Sequence, residues 1–269
     1  MKKYTIDELW NVLESNDVII YGAGYVGKRF LETCKASGKK INIIGVMTKN
    51  GTETLDNIVA MSVNNTNDNK KSIVCIAVHD VFTKEVIKDL KLNMYNSYIN
   101  ISPYLYDLML GKAIYCNRSI PIKQIFCDIN KYAIAARWLA IEGFYGKNNY
   151  GYNIYVKQLT AQAKVNTRYK RLERFKSLIK SFCVDKYNNE NNVMIMDDSR
   201  LIDGAHRVSL LMYHGEKSVN VDMYDSKNMI LNPHDDSIYL TRDNYKEFGY
   251  TEDEMKILDD CVNRIEKIF

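Results

Sequence analysis

Only three prolines occur in 269 residues, which argues against long extended linkers. The six cysteines (Cys34, Cys75, Cys116, Cys127, Cys183 and Cys261) are scattered, with no C-x-x-C pair. That spacing yields neither a disulfide frame nor a zinc cluster, and reduced core cysteines of a cytoplasmic protein are expected. No stretch approaches the ~20 apolar residues of a membrane helix. The opening MKKYTIDELW has no apolar run behind its lysines, so neither a membrane partner nor a secretory signal is expected. The formal net charge is only +4. Dedicated DNA binders carry more or concentrate it, so composition does not call for nucleic acid. At 46% apolar and 26% charged residues, the balance is that of an ordinary globular protein. The length suits two domains or one large one.

The first strong pattern is DVIIYGAGYVGKRFLETCKASG, residues 17–38. Val18 to Tyr21 reads as a buried strand, and Gly22, Gly24 and Gly27 fit G-x-G-x-x-G. A helix follows with Val26, Phe30, Leu31 and Cys34 on one face and Gly38 as its stop. INIIGVM, SIVCIAV and YNSYINI read as further strands, with a helix over 80–91. The β-α-β alternation implies a parallel sheet covered on both faces. Strand, glycine turn and helix form the context of a phosphate cradle. Gly22 and Gly24 would admit a pyrophosphate, and Gly27 a close helix. A NAD site also wants an acid at the end of the second strand. Here Val46-Met47-Thr48-Lys49 has none, and Lys49 is a candidate contact for a 2′-phosphate. His79 follows the third strand, at the sheet edge where ligands bind. The pieces IIYGAGYVGKRFLE, INIIGVMT and IVCIAV resemble short Rossmann-like domains of surface-polysaccharide and sugar-nucleotide enzymes. The resemblance implies NAD(P) or a sugar nucleotide as ligand and a glycan-assembly context.

A seam is expected near residue 115, giving a Rossmann-like domain over 1–114 and a second, α+β domain over 115–269. Ile120 to Ile125 reads as a strand with Pro121 at its edge. A helix is expected over 130–146, then a loop in GFYGKNNYGYN, then a long helix over 166–182. That helix has Leu172, Phe175, Leu178, Ile179 and Phe182 on one face. Its other face carries Arg168, Lys170, Arg171, Arg174, Lys176 and Lys180, read first as a solvated stripe and second as a phosphate-facing one. Asp197 to Arg200 reads as a hairpin turn, and Thr251 with Glu254 as the capping box of a C-terminal helix.

LIDGAHRVSLLMYHG, residues 201–215, runs a short apolar strand into Asp203, Gly204, His206 and Arg207 and then into an apolar helix. Gly204 permits a sharp reversal. The N–H groups of a helix start favour an anion, and Arg207 adds a planar fork for phosphate oxygens. His206 can donate to phosphate or move a proton near neutral pH. Asp203 can accept a hydroxyl proton, hold a metal through water, or orient the imidazole. The plainer alternative is a capped helix with Arg207 salt-bridged to Asp203. His214 lies eight positions beyond His206 without a third ligand, so no metal site is expected.

This stretch, with VMIMDD before it and SVNVDMY after it, resembles the ParB/sulfiredoxin-like superfamily over residues 119–226. The resemblance implies a phosphate-bearing nucleotide held at the turn. Sulfiredoxin chemistry needs a cysteine where Ala205 stands. Asp203, Gly204, His206 and Arg207 match the Asp-Gly-x-His-Arg of the branch that phosphorylates free serine. That match implies ATP or ADP with Mg²⁺ and phosphoryl transfer to a small hydroxyl compound, such as a polysaccharide or amino-acid precursor. It also implies a further catalytic glutamate, for which the nearest acids are Asp128 and Glu142. The alternatives are a ParB-like nucleotide- or DNA-binding module and a non-catalytic ligand-sensing partner in glycan assembly.

Overall fold

The computed structural model describes residues 4–65, 71–159, 165–185, 192–233 and 239–269. The chain is mixed α/β and separates into two compact units. One comprises Met1–Lys112 with Lys227–Pro233, the other Ala113–Ser226 with His234–Phe269. Among the described residues, no helix is long and apolar enough to cross a membrane.

In the first unit, α1 (Ile6–Glu14) starts at a capping box in which Glu8 accepts from the Thr5 N–H at 2.7 Å. It buries Leu9, Trp10 and Leu13. Strand β1 (Asp17–Tyr21) leads through the glycine turn into α2 (Tyr25–Ala36) and β2 (Asn42–Thr48). A small hairpin, β3 (Thr54–Leu55) and β4 (Ile58–Val59), precedes β5 (Met61–Ser62). Then come β6 (Ile73–Ile76), α3 (Asp80–Leu92), β7 (Tyr98–Asn100) and α4 (Leu105–Leu110). The five-stranded sheet is parallel, in the order β5-β2-β1-β6-β7. The chain thus builds outward from β1 in one direction, then from β6 in the other, the Rossmann-like arrangement. Strand alternation divides the core. Val18 and Ile20 pack with Leu9, Phe30 and Leu31, whereas Ile19 and Tyr21 pack with Val86, Leu90 and Tyr95.

The glycine turn is closely packed. Gly22 lies at φ +119°, and a Cβ on Gly27 would stand 1.9 Å from the Gly22 carbonyl oxygen. Backbone on both sides leaves little to give. Gly27→Ala is therefore expected to cost about 3 kcal/mol, the upper end of overpacking penalties. Urea unfolding of the full chain would measure it, and a loss under about 0.5 kcal/mol, within the range of ordinary surface changes, would show that the turn yields.

The second unit opens with β8 (Tyr115–Pro121). The strand expected to run to Ile125 stops at Pro121 and becomes a 3₁₀ turn over Ile122–Ile125. Ile122 and Ile125 are both fully buried. At a separation of three they point the same way in a 3₁₀ turn and opposite ways in a strand. Helix α5 (Lys131–Phe144) follows, then α6 (Gly151–Gln158). The glycine-asparagine-tyrosine stretch expected as a loop therefore turns helical from Gly151. Helix α7 (Val165–Asp185) buries Leu172, Phe175 and Ile179. Then come β9 (Val193–Met196), β10 (Leu201–Asp203), α8 (Ala205–Tyr213), β11 (Ser218–Tyr224) and α9 (Glu252–Ile268). The sheet order is β10-β9-β11-β8, mixed, with only β9 and β11 parallel. Helix α9 starts at the capping box of Thr251 and Glu254.

Candidate functional site

Gly204 joins β10 to α8 at φ +100° and ψ 12°. A Cβ there would lie 3.0 Å from Val193 Cγ2 and 3.1 Å from Arg207 Nη2. Both the left-handed backbone and the space therefore call for glycine. The N-cap of α8, Gly204, has no side chain to offer the positive end of its backbone dipoles.

Beside this corner is a cavity of about 210 Å³. Arg137, Gln158, Asp203, Gly204 and His206 supply its polar wall; Ile202, Leu240 and Phe248 are among the apolar residues that close it. Asp203 and His206 thus share one cavity. Arg207 is not part of its lining: Nη2 reaches across the glycine to Asp203 Oδ2 at 3.2 Å. The Asp203 side chain is 55% exposed, so that pair is a weak, solvent-screened one.

The His206 ring packs on Phe175 with centroids 4.5 Å apart, and its Nε2 lies 2.6 Å from the Tyr155 hydroxyl. Burial pushes its pKa well below the ordinary histidine value; Arg137, Arg171 and Arg207 push it the same way. His206 is therefore neutral at pH 7. Arg171 is the residue of the basic stripe that acts on the site. Lys170 and Arg174 are exposed, and the Arg168 side chain lies outside the described residues.

Arg137 lines the same cavity although it lies outside the 201–215 motif. It sits on α5 between Ala136 and Trp138, only 8% exposed. Nη1 donates to the Ala133 carbonyl at 2.7 Å and to Gln158 Oε1 at 3.0 Å, and Nε is buried with no partner. Among the described residues, the groups acting on it are the Tyr155 and Tyr250 hydroxyls and the Arg171 guanidinium, with no carboxylate. Burial lowers its pKa first, yet a guanidinium stays charged in a protein. A buried cation without a counter-charge costs several kcal/mol. The signal available beforehand was one arginine inside the apolar run YAIAARWLAI.

The two acids proposed for a further catalytic role are engaged elsewhere. Asp128 is 97% exposed and pairs with Lys131 at 2.6 Å. Glu142 is buried and takes the two ends of the Arg264 fork at 2.8 and 3.2 Å, plus the Trp138 indole at 3.2 Å. Neither lines the cavity, where Asp203 is the only carboxylate among the described residues. The His214 ring stacks on Phe182 at 4.8 Å. Among the described residues, no three His, Cys, Asp or Glu groups are placed to hold a metal ion.

In the first unit Gly24 caps α2 without a side-chain bond and with open space around it. Lys49, the candidate for a 2′-phosphate, pairs with Glu85 at 2.8 Å. An acid does follow β2, at Glu53, where it accepts from Thr48 Oγ1 at 2.5 Å. His79 stands exposed as the residue before α3.

Compared with protein-family models, with curated proteins and with solved structures, the chain shows no match.

Proposed function

We propose that the cavity beside Gly204 binds the phosphate end of a nucleotide, ATP or ADP, and that the chain transfers a phosphoryl group to a small hydroxyl compound. The observation that carries this reading is Arg137: a buried guanidinium with no carboxylate partner among the described residues, in a cavity that opens on a glycine corner and a helix start whose N-cap is glycine. Each of these features favours an anion. At about 210 Å³ the cavity is smaller than the ~300–1,000 Å³ typical of whole-ligand pockets. It suits phosphates and a short extension better than an entire nucleotide.

The roles follow from the chemistry. Neutral His206 donates one N–H to a phosphate oxygen without adding charge. Arg207 keeps Asp203 company outside the cavity, and Asp203 accepts the hydroxyl proton or holds Mg²⁺ through water beside the phosphates. Such transfer rests on positioning and electrostatic stabilisation more than on covalent chemistry. The second unit is read accordingly as a ParB/sulfiredoxin-like domain, and the first as a Rossmann-like domain for NAD(P) or a sugar nucleotide. Support for the latter is the parallel sheet order and the glycine turn.

One observation favours a second reading, nucleotide sensing without catalysis: among the described residues, Asp203 is the cavity's sole carboxylate. Calorimetric titration of the full chain with ADP, and turnover with Mg-ATP over a panel of sugars and amino acids, separate the two. The enzyme reading expects Asp203→Asn to bind ADP as the parent does and to lose at least 100-fold in turnover, the low end of general-base effects. Binding without turnover in the parent points to sensing. An Asp203→Asn protein with full turnover removes Asp203 from the mechanism.

A further inference from the structure

We propose that α6 is the positioning element of this site, with Gln158 setting the guanidinium of Arg137 and Tyr155 setting the ring of His206. The inference rests on the anion-binding reading above.

Tyr155 and Gln158 are three residues apart and so share one face of α6. From that face the Tyr155 hydroxyl meets His206 Nε2 at 2.6 Å and Gln158 Oε1 accepts from Arg137 Nη1 at 3.0 Å. Polar site groups on two different helices, Arg137 on α5 and His206 on α8, are thus both met from a third. α6 is fixed from both sides. Asn148 accepts from the Gly151 N–H at 2.7 Å and donates to the Leu139 carbonyl of α5 at 3.1 Å. On the other side Tyr250 donates to the Ile154 carbonyl at 2.6 Å, and Lys157 pairs with Glu254 at 2.7 Å.

The chemistry of the two contacts is specific. Ala133 and Gln158 take up Nη1 of Arg137, and Nε has no partner, a donor that belongs to the side-on fork matching two oxygens of a phosphate. Gln158 is itself 4% exposed. As a neutral acceptor it locates the guanidinium without cancelling its charge, which stays available to a ligand. A carboxylate in the same place would cancel it. On His206, we assign the Tyr155 hydroxyl as the donor to Nε2, which puts the ring proton on Nδ1. One ring nitrogen is thereby occupied and the other is left as a donor.

The test uses the full chain with inorganic phosphate and ADP as probes. Gln158→Glu is expected to melt at or above the parent's temperature without ligand and to bind both probes at least about tenfold more weakly, because its carboxylate competes for Arg137. A change that merely damaged the fold would lower both quantities. Tyr155→Phe is expected to convert His206 from a single Nδ1–H tautomer to a mixture, read in the ¹⁵N spectrum of the imidazole. Gln158→Met, which keeps the volume and removes the acceptor, gives a second measurement should the glutamate variant not fold, and weaker probe binding is again expected. Parent-like affinity in the Gln158 variants, or an unchanged His206 tautomer in Tyr155→Phe, overturns the positioning role. A parent protein that binds neither probe instead removes the anion-site reading on which it stands.

Discussion

Arg137→Met is expected to make the ligand-free protein more stable and to abolish its binding of phosphate and ADP. Arg137 is a charge held 92% out of solvent with no carboxylate among the described residues to answer it. Replacing buried ionic groups by apolar ones of similar size is often neutral or stabilising by 1–4 kcal/mol. Against this, Gln158 Oε1 loses its donor, at a cost of about 1–3 kcal/mol for a buried acceptor left unmade. The Ala133 carbonyl loses less, because residue 133 lies inside α5 and keeps its helical partner. The balance favours a gain of roughly 1 kcal/mol, and adding Gln158→Leu, which removes the orphaned acceptor, should enlarge it. Denaturant unfolding with and without ADP measures both halves. In the parent, ADP at 100 times its Kd should raise stability by about 2.7 kcal/mol; in Arg137→Met that increment should vanish. Loss of several kcal/mol of stability with the ADP increment intact would make Arg137 a structural residue, its charge satisfied by the fold.

The parts of this site differ in how openly the sequence announces them. The corner was legible because strand, glycine and charged residues are contiguous in LIDGAHR, and contiguity is what a motif records. The glycine turn of the first unit and the capping box of α9 are likewise local, set by residues within four or five positions. Arg137 was hidden for the opposite reason. Its meaning depends on what surrounds it in space, and an apolar helix with one arginine is also the pattern of an ordinary surface-facing residue. Helix α6 was hidden by propensity. Gly151, Tyr152, Asn153 and Tyr155 are indifferent helix formers, and the stretch reads as a loop until packing against α5 decides otherwise. Glu142 misled because a glutamate near an expected catalytic position is visible in sequence while its partner, Arg264, is 122 residues away. Ile122 and Ile125 read as strand because apolar residues at short range carry no sign of their period.

Gly151→Ala offers the sharpest contest between local propensity and tertiary packing, and the two predict opposite signs. Gly151 is the first residue of α6, and alanine is favoured over glycine in helices by up to about 1 kcal/mol. On propensity alone the substitution stabilises. The structure opposes this. A Cβ at Gly151 would lie 1.9 Å from the Leu139 carbonyl oxygen and 2.8 Å from Asn148 Oδ1. The first of these is backbone in the middle of α5, which can withdraw only by bending the helix, so α6 must move outward instead. Overpacking of this kind costs typically 1–3 kcal/mol, and the nearness of the clash places the expected net loss at about 2–3 kcal/mol. The consequence extends to the cavity, because an outward shift of α6 carries Tyr155 away from His206 and Gln158 away from Arg137, stretching the 2.6 and 3.0 Å contacts. Catalysis and binding are sensitive to misplacements of about 1 Å, which can cost around 100-fold. Gly151→Ala is therefore expected to weaken ADP affinity as well as stability, although residue 151 does not line the cavity. A melting temperature above the parent's would show that propensity wins and that α5 and α6 are not in close approach. A lower melting temperature with parent-like ADP affinity would show that the crossing supports the fold alone, and that the alignment of the site's cation and imidazole does not pass through this helix.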